Sequence, residues 1–125
     1  MAEKRTRYKI HDLVQGGQVY IADEVLTTVV ALAATEVEGV RSIAGNVTYD
    51  LVSRLGVKSL ATGVRCEVRD SLVQANLHLN LAYGVSIPEV CRKVQEKVKT
   101  SVENMTGLTV GDVNITIAQI ALGQE

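Results

Sequence analysis

The side chains best suited to chemistry are scarce in this chain of 125 residues, which has two histidines and two cysteines. A hydrolytic triad needs an imidazole held between a nucleophile and an acid. His11 lies in a charged N-terminal stretch, and His78 falls on the polar side of an alternating segment whose neighbours at two-residue spacing, Asn76 and Asn80, are amides. Cys66 and Cys91 form no CxxC pair and both fall on apolar faces, the placement of buried, reduced thiols. A metal needs three or four convergent ligands, and His78 with Glu67 or Asp70 has no recognised ligand spacing. Glu36 and Glu38, two apart on a helix, point away from each other, so they do not form an acid–base pair. Neither GxGxxG nor GxxxxGK[ST] occurs, so no glycine loop is set to cradle a phosphate. The expectation is a protein without catalytic residues, metal or cofactor.

Composition narrows the classes further. Thirteen basic and fourteen acidic residues leave a formal charge of −1, which does not favour a polyanion, and no specific nucleic-acid partner is expected. All four aromatic residues are tyrosines, too few to form stacking platforms for single strands or a flat cofactor. The basic cluster Lys4, Arg5, Arg7 and Lys9 reads as part of a flexible tail over residues 1–16. No apolar run approaches the ~20 residues of a membrane-crossing helix, and the charged start does not resemble a secretory leader, so a cytoplasmic location is expected. Sequons at Asn46, Asn104 and Asn114 are then chance patterns.

The elements that would position a site follow from periodicity. Gln18 to Ile21 reads as a short strand, and Asp23 as the N-cap of a helix running to about Glu38, with Gly39 as its stop. Val25, Leu26, Val29, Val30, Ala33 and Val37 make its stripe, and Leu32 widens it until the middle is apolar nearly all round. Such a helix must be covered on two sides, by a sheet and by a further layer or a second subunit. Residues 40–63 give no firm element. Val64 to Arg69 and Val73 to Tyr83 alternate cleanly around Asp70-Ser71 and read as an antiparallel hairpin. Ser86-Ile87-Pro88-Glu89 is a capping box that opens a helix ending at Gly107, with Ile87, Val90, Cys91, Val94, Val98, Val102 and Met105 on one face. A last strand runs from Val110 to about Ile120, with Gly111 as a plausible bulge.

This order predicts an α+β fold: a two-layer sandwich in which helices cover one face of a mixed or antiparallel sheet, compatible with a ferredoxin-like order plus an insertion. One domain over residues 17–122 is expected, with 123–125 as a short tail. The other sheet face carries Gln74, Asn76, His78, Asn80, Asn114 and Thr116, an amide-rich, nearly uncharged surface of the kind that packs against another protein. These six residues are the candidate interaction site.

Several segments together resemble the alkaline shock protein family of bacterial envelope stress response proteins. They are Val37-Glu38-Gly39-Val40, Tyr83-Gly84-Val85-Ser86-Ile87-Pro88-Glu89-Val90, Val94-Gln95-Glu96-Lys97-Val98, Glu103-Asn104-Met105-Thr106-Gly107-Leu108 and Val113-Asn114-Ile115. The likeness extends over about residues 17–120 and lies mostly in caps and turns. It implies a non-enzymatic protein of cell-envelope homeostasis that self-associates as a homo-oligomer, peripheral to the membrane through a membrane-anchored partner. A second branch of the family implies a regulatory partner of acetyl-CoA carboxylase in fatty-acid precursor supply. No catalytic residue carries over from either branch.

Overall fold

A computed structural model describes residues 7–13, 16–45, 47–55 and 63–122. Lys4, Arg5, Asn46 and the 123–125 tail lie outside the described residues. The elements in chain order are β1 (Arg7–Leu13), β2 (Gly17–Ala22), α1 (Asp23–Thr35), β3 (Val40–Ile43), α2 (Tyr49–Leu55), β4 (Val64–Arg69), β5 (Leu72–Ala82), α3 (Ile87–Thr106) and β6 (Thr109–Ala121).

Strand β5 organises the main sheet. Its first half pairs antiparallel with β4, Val64 opposite Leu77 through Arg69 opposite Leu72. Its last residues pair antiparallel with β3, Ile43 opposite Leu79 and Val40 opposite Leu81. Along its other edge it pairs in parallel with β6 from Leu72–Thr109 to Ala82–Ala121. The sheet is mixed, as expected. α1 and α3 pack against each other and on one face, α1 over β3 and β4 and α3 over β6.

Alternation along β5 explains the core. Val73, Ala75, Leu77, Leu79 and Leu81 face the helices and are buried, meeting Leu26 and Val30 of α1 and Val94, Val98 and Val102 of α3. Each buried valine or leucine contributes about 1.5–3 kcal/mol of transfer free energy, without aromatic filling. Ser86 accepts from the Glu89 N–H at 3.4 Å, Pro88 sits in the first turn, and Gly107 closes α3 at φ 80°. Asp70 and Ser71 form the β4–β5 turn at φ 53° and 64°, both left-handed, as a tight two-residue hairpin requires. Gly111 is the expected bulge, since the register skips from Val110 to Asp112 there, and a second skip occurs at Ala118.

The structure departs from the sequence expectations in several places. Residues 7–13 of the expected flexible tail form β1, because Tyr8 and Ile10 alternate with basic residues and pack on the core. Together, β1 and β2 make a two-stranded ribbon apart from the main sheet. Asp23 is the first residue of α1 instead of its cap, and its carboxylate accepts the Tyr8 hydroxyl at 3.2 Å. α1 ends at Thr35, short of Glu38. Its all-round apolar middle is covered within the chain, by the sheet and α3 and also by α2 and β2. Tyr83, which the alternation of the predicted hairpin puts in register with inward-facing Val73 and Leu81, is 74% exposed, because β5 stops at Ala82 and the chain turns at Gly84 with φ 95°. Met105 is exposed at the end of α3, and Cys91 is half-buried.

Candidate functional site

The sheet face opposite the helices carries the amide-rich surface. Asn76 lies opposite Asn114, and Asn114 Nδ2 donates to Asn76 Oδ1 at 3.1 Å, while His78 lies opposite Thr116. Gln74, His78, Asn114 and Thr116 are exposed and Asn76 is half-buried. These five share one surface. Asn80 does not join them: it is buried at 5% exposure, and its Nδ2 donates to Ser42 Oγ at 2.9 Å. A bulge at Arg41 sets Ser42 opposite Asn80, so the pair forms a closed polar contact between β3 and β5. Asn80 Oδ1 has no partner among the described residues.

Sequence reasoning overlooked the charged margin of this face. Arg65 is opposite Asn76 and Glu67 opposite Gln74 on the β4 side, while Asp112 is opposite Gln74 on the β6 side. The alternation of β4 already put Arg65 and Glu67 on the polar side, which was the available clue. A concavity of about 390 Å³ lies where Gly63, Val64, Arg65, Asn76 and His78 meet. Here β5 changes partners: the His78 N–H donates to the Gly63 carbonyl at 2.8 Å, and its carbonyl accepts from Ala44 N at 2.9 Å. The chain ends of β3 and β4 therefore abut at one residue of β5. A guanidinium, an imidazole and a side-chain amide around a shallow hollow can make hydrogen bonds to a polypeptide surface.

Groups away from this face have perturbed acidities. Burial and then the Asp23 charge push the Tyr8 hydroxyl up to about 12, and the same two causes push the Cys66 thiol up to about 12. They tie β1, α1 and β4 together at the base of the ribbon. On the opposite edge, Glu103 Oε2 accepts the Val110 N–H at 2.9 Å, a bond that, with Lys99, holds its carboxyl below the usual range. Among the described residues, no three of His, Cys, Asp and Glu converge as metal ligands.

A family model described as having a cell envelope-related function, the Asp23 family, matches residues 12–122. The chain belongs to the Asp23 family. The name is unrelated to the aspartate at position 23. Among its relatives, YqhY of Bacillus subtilis (strain 168) is 34% identical over 110 residues, covering 88% of this chain and 82% of that protein. YloU of the same organism is 30% identical, covering 92% and 91%. A stress response regulator gls24 homolog of Streptococcus pyogenes serotype M3 is 29% identical, and the match covers 83% of this chain and 59% of that protein. These Asp23-family descriptions name envelope and stress roles and no enzymatic activity. Among solved structures, a MamM CTD variant aligns with 77% of this chain and 93% of that one, at 14% identity and a TM-score of 0.47. No described helix is long and apolar enough to cross a membrane.

Proposed function

We propose that this Asp23-family chain is a non-enzymatic protein of the cell-envelope stress response, which acts as a self-associating scaffold or adaptor and presents its polar sheet face to a protein partner. The observation that carries this reading is the bonding within the face. Asn114 Nδ2 donates to Asn76 Oδ1, and the exposed amide, imidazole and hydroxyl groups around this bond form a broad surface without a converging reactive pair among the described residues. Broad polar surfaces of this kind suit recognition by complementary hydrogen bonding. The family's envelope-related description supports the setting.

The test has two arms. Sedimentation of the pure chain across concentration reads self-association, and cross-linked pull-down from the native cell with the wild type and with Asn76→Lys/Asn114→Lys reads the face. Concentration-dependent mass and loss of one specific partner from the double variant support the proposal. A chain that is monomeric throughout, or a partner set unaltered by the two lysines, overturns it. The membrane-anchored partner and the acetyl-CoA carboxylase subunits are the two candidates to look for first, and recovery of the carboxylase alone favours the regulatory alternative.

A further inference from the structure

The two long edges of the main sheet are treated differently. On the β4 side, exposed Arg65, Glu67 and Arg69 put a charge at every second residue, which blunts that edge. On the β6 side the guard covers only the first half. Glu103 takes the Val110 N–H at 2.9 Å, and Gln95 Nε2 donates to the Val113 carbonyl at 3.0 Å, so two α3 side chains occupy backbone groups that an added strand would use. Past Val113, no described side chain bonds to the β6 backbone, and the sequence from Val113 to Leu122 holds no charged residue and no proline. Charge, proline and bulges are the usual devices that keep an edge strand from pairing with another chain, and of these the open half carries only the bulge at Ala118.

The orientation of this open half can be followed residue by residue. The Val113 carbonyl points outward to Gln95, so by strand alternation the backbone groups of Ile115 and Ile117 also point outward. The bulge at Ala118 reverses the parity. Ala121 then points back toward β5, as its bond from Tyr83 N at 3.1 Å shows, which leaves Ile120 pointing outward. An antiparallel copy of the same strand, with a two-fold axis between Ala118 and Gln119, sets Ile117 opposite Ile120 and Ile115 opposite Leu122. In that register, outward groups meet outward groups. Ile117 lies beside Leu79 and Ile120 beside Leu81, both facing the helices, so the apolar side chains of the two copies meet on one face. Ile120 is 37% exposed and Leu122 78% exposed in the single chain.

We propose that the second half of β6 is the self-association edge: two copies join antiparallel about this two-fold axis, making one continuous sheet with all helices on one side. The proposal rests on the self-association reading above and deepens it by separating the edge that meets a second copy from the face left free for another partner. Self-complementarity is what selects the occupant. A two-fold contact places a surface against itself, which an uncharged strand accommodates and a charged one resists.

The test is sedimentation equilibrium on the full chain, with folding checked by circular dichroism. Ala118→Lys/Gln119→Lys places lysine opposite lysine twice at the axis and is expected to weaken association about tenfold. Ala118→Lys/Gln119→Glu places lysine opposite glutamate twice and is expected to restore it. Hydrogen exchange on the wild type supplies a reading free of mutations: amides of 115–120 should gain protection as concentration rises, while those of β4 do not. Association that is indifferent to both double variants, or concentration-dependent protection elsewhere only, overturns the edge and leaves the self-association reading standing. A wild type that stays monomeric overturns both.

Discussion

Gly63 sits where β3 and β4 abut against His78, and the fold leaves no room there for a methyl group. A Cβ added at Gly63 would lie 2.7 Å from Ile43 Cγ2, 3.0 Å from the His78 carbonyl oxygen and 3.2 Å from Ala44 Cβ. None of these can yield easily. Ile43 is fully buried, and the His78 carbonyl is fixed by the bond from Ala44 N at 2.9 Å. Relief requires backbone movement at the junction, so Gly63→Ala is expected to cost about 1–3 kcal/mol, the range for overpacking. For a domain of this size that lowers the melting temperature by about 4 °C per kcal/mol. Gly111→Ala is the matched control. The three atoms nearest its Cβ would all belong to the Leu72 side chain, at 3.1–3.4 Å, and Leu72 is 49% exposed and free to swing away. Its expected effect is within about 0.5 kcal/mol. Urea denaturation of both variants decides the matter. Equal midpoints for Gly63→Ala and wild type would refute the argument that steric closure at this junction sets the residue.

Further outcomes follow from single contacts. Ser42→Ala leaves buried Asn80 without its one side-chain bond and is expected to cost about 1–3 kcal/mol, whereas Ser42→Ala/Asn80→Val should recover most of that in denaturant titrations. Folding raises the Cys66 pKa from 9.0 and the Tyr8 pKa from 10.0, each to about 12. The folded state therefore holds these protons more tightly, and their stabilisation is complete below the unfolded values and lost as pH rises toward the folded ones. Urea midpoints should fall between about pH 8 and about pH 11, and fall less in Cys66→Val. An unchanged midpoint across that window contradicts the assignment. Ser86→Ala should cost only about 0.5 kcal/mol by thermal melting, the low end for a cap, since its bond is long and exposed.

How far the sequence could be read depended on whether one physical rule dominated each segment. Where burial alternated over many residues, in β4, β5, α3 and β6, the elements and their buried faces were legible, as was the polar face opposite. At Asn80 the rule was obeyed by the strand and overridden by its neighbour. The bulge at Arg41 that turns Ser42 toward it has no marker in the four-residue β3. Tyr83 kept the alternating rhythm although the strand had ended, because periodicity does not register where hydrogen bonding stops. In β1 the alternation of Tyr8 and Ile10 was present but outweighed by the flanking charges. Arg7 and Lys9 belong to the exposed side of a ribbon, and composition alone cannot distinguish that from a solvated tail.

The arrangement of β3 and β4 end to end along β5 also bears on how the chain assembles. β4 meets β5 across a two-residue turn and closes its contacts over a short stretch of chain, while β6 returns beside β5 through α3 and pairs along the whole strand. Val40 must find Leu81 across the intervening β4, closing a loop about as long as the one α3 closes between β5 and β6 but for a much shorter pairing, so the same entropy is offset by fewer contacts. The end of β5 that binds β3 is therefore the late-forming part of the sheet. In the native state the strands there should also be the first to separate, so local opening would begin at Ser42 and Asn80 well before the hairpin itself comes apart.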